Sequence, residues 1–276
     1  MKRPSPYLAA TGFVQPYEVR ALAAQIRDAI GAPRGAFAPH YAPRRLVVAT
    51  LVSAKTIRGV AVENRRYPNL DTARSVVDCA HAHGFVGAVH YNTRAQGDDL
   101  GAELTTLGHA IPYMRMLQLN VERPSPGSLL RFRERWPDVE IILQLNPATR
   151  GGDGAWDAAF IYASVVDHVL LDLSRGEGRD LNVAAVAHDV TEDAPIFHAA
   201  GVRLGVAGGL GPDAQPVLDE LHATVGRGPF DALSFDAESR LRIPSPEALP
   251  GAKQQDDLDV TKVGAWFELF ERGCVG

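Results

Sequence analysis

The sequence predicts an α/β protein folded as a single (β/α)8 barrel over residues 1–276. Eight short apolar or β-branched runs alternate with segments whose apolar residues recur at helical spacing, in a chain of 276 residues. The string LQLN ends two of the runs, at 117–120 and again at 143–146. The glycine fingerprint GxGxxG, which an open dinucleotide-binding sheet carries directly after its first strand, is missing.

The expected strands, in order, are YLAATGF (7–13), RLVVATLVS (45–53), FVGAVHY (85–91), MRMLQLN (114–120), VEIILQLN (139–146), VDHVLLDL (166–173), RLGVAGG (203–209) and FDALSFDA (230–237). Each precedes a helix candidate. Val19, Leu22, Ile26 and Ile30 share one helical face, as do Leu129, Phe132 and Trp136. Val217, Leu221 and Val225 repeat the pattern, and so do Val260, Val263, Phe267 and Phe270. Gly211-Pro212-Asp213 reads as a helix start with proline in the first turn. No linker divides the chain, and the Pro/Gly-rich stretches 31–44 and 243–253 are short enough to be loops.

Composition narrows the function classes. The net charge is −5 with no block of like charges, which speaks against an electrostatic nucleic-acid binder. Cys79 and Cys274 have neither metal nor redox spacing, so a reducing cytoplasm fits. The basic tip lacks the apolar segment of a signal peptide, and no apolar run approaches a membrane span. The expected partner is a small polar or anionic metabolite, with no nucleic acid, membrane, metal or cofactor. A homodimer is compatible with the sequence.

The ends of the runs are polar. Gln118 and Gln144 occupy equivalent places on neighbouring strands, as do Asn120 and Asn146. Residues two apart in a strand share a face, so each Gln projects with its Asn. Thr11, Ser53, Lys55, His90, Asn92, Asp172, Ser234, Asp236 and Glu238 complete a polar ring at the C-terminal ends. That is the end where such barrels place their active sites. Buried polar groups cost free energy unless hydrogen-bonded, so the ring implies either a polar ligand or mutual bonding. Asp172 ends the apolar run VLL, a setting that suits acid–base chemistry. Lys55 is a candidate anion binder or Schiff-base amine. His90 is the candidate opposite partner to Asp172, and its grouping with Asp172 and Asp236 is too sparse for a metal site. Gly208 and Gly209 after strand seven mark the usual phosphate position, with Arg175, Arg179 and Arg240 available for an anion.

These last segments resemble phosphoribosylanthranilate isomerase. LLDLSRGEGRDLN (170–182) is similar to that family's sixth strand and glycine loop, and VAGGLGPDA (206–214) to its seventh strand. LQLN keeps the Gln-Leu of its fourth strand, and LDVTKVGAWFELF resembles its final helix. The resemblance implies a phosphate-binding barrel and a general acid at Asp172. It also marks departures. The family's catalytic cysteine position corresponds to Thr11, which cannot act as a base near neutral pH. Asp236 and Glu238 stand where the family binds phosphate, and would repel it unless Arg240 or Arg242 turns inward. The arginine for the substrate carboxylate has no clean match, although Lys55 or Arg58 is nearby. The segments 54–70 and 239–258 are long enough to act as lids. The expected function is therefore that of a divergent relative: a proton-transfer isomerase or lyase acting on a small sugar-like or phosphorylated metabolite, without true phosphoribosylanthranilate isomerase activity. The alternatives are a non-catalytic barrel that binds a metabolite or protein, and a Schiff-base lyase using Lys55.

Overall fold

A computed structural model describes residues 4–31, 44–145, 161–172, 181–244 and 256–271. Eight parallel strands close into a barrel in sequence order. They are β1 (Tyr7–Thr11), β2 (Arg45–Ser53), β3 (Val86–Asn92), β4 (Met116–Asn120), β5 (Glu140–Leu145), β6 (His168–Asp172), β7 (Arg203–Ala207) and β8 (Ser234–Ala237). Closure comes from β1 pairing with β8, Leu8 opposite Phe235 and Ala9 opposite Asp236.

Alternation along each strand divides the apolar residues into two bodies. The outer one packs strands against helices, and Leu117, Leu119, Leu143, Val169 and Leu171 belong to it. The inner one fills the barrel with Tyr7, Ala9, Val47, Ala49, Ala88, Met116, Ile142, Leu170 and Ala207. Two residues further along β1, β3, β4, β5 and β6, the next inward positions are Thr11, His90, Gln118, Gln144 and Asp172. The barrel core is thus capped by a polar layer at its C-terminal mouth.

The helices follow the predicted faces, over Pro16–Gly31, Pro126–Arg135, Gln215–Val225 and Val260–Glu271. Glu18 Oε2 accepts the Val14 and Gln15 amides at 2.7 and 2.8 Å, closing the first of these at its N-terminus. Asp259 does the same for Thr261 and Lys262 before the last helix. Trp266 in that helix is fully buried and donates its indole N–H to Ala9 O at 3.0 Å, which anchors the helix to β1.

Three expectations need correction. The helix after β7 begins at Gln215, with Pro216 in its first turn, while Pro212 and Asp213 form a separate turn before it. The eighth strand begins at Ser234 rather than at Phe230, because Arg227–Asp231 is a short helix. The buried Arg44 guanidinium takes the carbonyls of Phe230 and Leu233, holding that segment out of the sheet. The segment 239–258 also contributes an antiparallel pair, β9 (Arg242–Pro244) with β10 (Asp256–Leu258).

His168 is fully buried inside the barrel at the start of β6. It meets Glu140 at 2.8 Å, and Glu140 also accepts two bonds from Arg45 at 2.7 Å. These partners hold the Glu140 carboxyl at about 2 against the opposing effect of burial. The cluster lies at the N-terminal end of the barrel, where structural rather than catalytic groups are found.

Candidate active site

The polar layer is cross-linked. Gln144 Nε2 donates to Asp172 Oδ2 at 2.9 Å. Gln118 Nε2 donates to Gln144 Oε1 at 3.3 Å and approaches His90 Nδ1 at 3.4 Å. Thr11 Oγ1 donates to Asp236 Oδ1 at 2.9 Å. All six side chains are buried. The barrel register creates these contacts, since His90 pairs with Gln118, and Asp172 and Asp236 flank Ala207 on either side. At an interstrand spacing of about 4.8 Å, the two aspartate Cα atoms are roughly 10 Å apart. The small Ala207 side chain leaves the space between them open.

That space is a pocket lined by His90, Gln118, Gln144, Asp172, Asp236 and Glu238, with Ala207, Gly208 and Gly209 on the β7 side. Its cavity volume is about 40 Å³, room for about three waters. Gly208 and Gly209 have φ of 105° and 64°, a backbone that glycine adopts without strain, directly after β7.

Asp236 has the most altered chemistry. Burial pushes its carboxyl up to about 7. The Thr11 hydroxyl opposes that rise, the negative charge of Glu238 adds to it, Gln118 opposes it by hydrogen bonding and Asp172 adds further. A carboxyl that exchanges its proton near neutral pH is suited to general acid–base work. Burial lowers the His90 imidazole, against the pull of Glu238 and Asp172, so the ring is neutral at neutral pH. Thr11 is fully buried and spends its hydroxyl proton on Asp236.

A clamp crosses one side of the mouth. Arg66, from the segment after β2, binds Asp256 of β10 through Nε at 2.8 Å and Nη2 at 2.5 Å, and binds Glu238 through Nη1 at 2.9 Å. Arg242 lies beneath, donating Nη2 to Gly12 O at 3.0 Å and Nη1 to Asp256 at 3.4 Å. Gly12 has φ of 111°, and a Cβ there would lie 1.6 Å from Arg242 Nη2, so glycine is required on both counts. Both segments expected to act as lids therefore meet through Arg66. Arg66→Ala would strand two partly buried carboxylates and is expected to lower stability by about 3 kcal/mol. Arg66→Lys should recover only part of it, since an ammonium cannot form the two-pronged contact. Urea unfolding of the three proteins measures this, and equal midpoints would show that the clamp contributes nothing.

Other expected site residues lie elsewhere. Lys55 is exposed on the short helix Ala54–Ile57 and does not line the pocket, so the structure gives neither the anion role nor the Schiff-base role a location there. The Ser53 cap starts that helix immediately after β2 and turns the chain outward before Lys55. Asn92 is exposed and donates to Tyr67 OH at 3.3 Å. Asn120, its partner in register, is half-buried and outside the pocket lining. Arg240 meets Asp213 at 3.2 Å rather than turning inward, because Asp213 stands in the turn after β7. Glu238 does line the pocket, with its charge met by Arg66. Asn146 and Arg175, with the glycine-rich segment 174–180, lie outside the described residues. Leu210 of the VAGGLGPDA segment also lines the pocket, as does Ser239, which carried no signal in the sequence.

No protein-family model matches the sequence, and no curated protein does. Solved structures match the fold. A phosphoribosyl anthranilate isomerase from Thermococcus kodakaraensis superposes with a TM-score of 0.51 at 15% identity, covering 96% of this chain and 98% of that one. A β-mannanase from Thermomonospora fusca gives 0.54 at 12% identity, covering 98% and 89%. A GH113 β-mannanase from Alicyclobacillus acidocaldarius gives 0.51 at 12%, covering 95% and 96%. At these identities the likeness is one of fold. The reaction has to be argued from the site.

Proposed function

We propose that this barrel is a proton-transfer isomerase or lyase acting on a small, uncharged, sugar-like metabolite, with Asp172 and Asp236 as its acid–base pair. The observation that carries this reading is the convergence of two buried aspartates on one pocket in different bonding environments. Asp172 accepts from the Gln144 amide and takes the part of base. Asp236, held by Thr11 and poised near neutrality, takes the part of acid. Two carboxyls facing one pocket can divide acid and base roles between them.

In an isomerisation, Asp172 removes a proton from the carbon beside a carbonyl. The C–H electron pair becomes a C=C bond, the carbonyl pair moves to oxygen, and Asp236 supplies that oxygen with a proton. Asp172 then returns its proton to the former carbonyl carbon, where the C=C pair forms the new C–H bond. Asp236 recovers a proton from the hydroxyl on the carbon first deprotonated, whose O–H pair becomes the new C=O. Both residues end as they began.

The charge of the pocket argues for an uncharged substrate. Asp172, Asp236 and Glu238 line it, and among the described residues no lysine or arginine does. A phosphate at Gly208 and Gly209 would face Asp236 and Glu238 with Arg240 turned away. This departs from the phosphorylated, carboxylated substrate that the family resemblance implies. A sugar-sized ligand exceeds the cavity volume, so binding it requires the mouth to widen.

The test is a screen of small hydroxy-aldehydes and hydroxy-ketones in D2O, first for thermal stabilisation of the protein and then for deuterium uptake at carbon by NMR. At least one is expected to exchange. Stabilisation without exchange would leave a binding barrel. The isomerase assay with phosphoribosylanthranilate is expected to show no turnover, because Thr11 supplies no base.

A further inference from the structure

The pocket holds a third group, His90, whose part in the chemistry is set by its neighbours. Asp172 accepts from Gln144 Nε2, which leaves Gln144 Oε1 facing Gln118 as an acceptor. Gln118 must answer with its NH2 group. That same nitrogen faces His90 Nδ1 at 3.4 Å, and a further bond from Gln118 reaches Asp236. The Gln118 nitrogen carries two hydrogens and cannot accept, and Gln144 Oε1 and the Asp236 carboxyl both stand as acceptors for them. A proton on His90 Nδ1 would set a donor against a donor, so the neutral ring carries its proton on Nε2. The ring lines the pocket, and Nε2 is the nitrogen left for a ligand.

We infer that His90 is a hydrogen-bond donor rather than a base, and that Gln118 and Gln144 are positioning residues which hold its proton on Nε2, aimed at a substrate carbonyl oxygen. The inference rests on the proton-transfer reading above and deepens it. The charge that develops on the oxygen as Asp172 removes the carbon-bound proton is met by a fixed N–H in a buried setting, where such a donor is most effective. A neutral imidazole also keeps its proton, so it does not compete with Asp236 as the acid. The substrate class is thereby narrowed to compounds with a carbonyl beside a hydroxyl-bearing carbon.

The ring can be read without turnover. In 15N-labelled protein at neutral pH, with the resonances assigned through His90→Gln, Nε2 is expected to be the protonated nitrogen and Nδ1 the bare one. Gln118→Glu places a carboxylate against Nδ1 and should draw the proton there. Should that variant not fold, Gln118→Met removes the donor and is expected to give a mixture of the two forms. A wild-type ring protonated on Nδ1, or a pure Nε2–H form that survives the loss of Gln118, overturns the relay. Dihydroxyacetone titrated into the wild-type protein is expected to shift the Nε2 resonance, and to do so in Asp172→Asn as well. An unmoved resonance overturns the carbonyl subsite. Deuterium exchange decides the acid–base pair separately, so a failure of either reading is recognisable.

Discussion

Asp236→Asn is expected to cut turnover by about 10²–10⁴-fold and at the same time to make the protein more stable at neutral pH. The two effects have one origin. The folded state holds the Asp236 carboxyl at about 7, above its ordinary 3.8, chiefly because the group is buried. Between those values the folded protein keeps a proton that the unfolded chain releases. Stability therefore falls as pH rises through this window, and the loss is complete above about 7. Its size is of order 2–4 kcal/mol. Asparagine does not titrate, and its carbonyl can still accept from Thr11, so the variant should lack the decline. It also removes the acid, for a loss of about 10²–10⁴-fold in deuterium exchange. Urea unfolding at pH 5 and pH 8 gives the check. A wild-type stability independent of pH, or an asparagine variant weaker than wild type at pH 8, would remove Asp236 from its assigned role.

Asp172→Asn should cost about as much activity, roughly 10²–10⁴-fold in kcat, but with a different signature. The asparagine oxygen still accepts from Gln144, so the chain through Gln118 to His90 stays in place and the ligand still binds. The expected pattern is therefore a lost kcat with KM nearly unchanged, which marks an interaction that acts on the reaction rather than on binding. Stability should change little. Normal turnover by the variant would show that Asp172 is not the base. Failure to fold would show that the Asp172–Gln144 bond holds the barrel mouth together, and the polar layer would then be structural.

Most of the frame was legible in the residues. Runs such as RLVVATLVS carry their strand character locally, and β2 occupies the whole of 45–53. Inward and outward faces follow from alternation alone, which is why Gln118 and Gln144, 26 residues apart, meet side chain to side chain. Errors arose where a local signal had two outcomes. Pro212 can start a helix or a turn, and here it forms the turn. His168 sits in an apolar run and could have been read as inward-facing, two residues before Leu170 and four before Asp172. Lys55 follows β2 directly, but a short capped helix carries it outward.

What the sequence determined by itself was the barrel, the order of its strands and the polar layer at their ends, because apolar runs and period-two alternation act over a few residues. Only the tertiary structure decided that burial raises the Asp236 carboxyl and that Gln118 meets His90 at Nδ1. Those properties depend on partners distant in the chain. Thr11 reaches Asp236 across 225 residues, and Arg66 reaches Asp256 across 190. Such pairs exist only because β1 closes on β8, bringing together charges whose solvation, and hence whose chemistry, is set by burial.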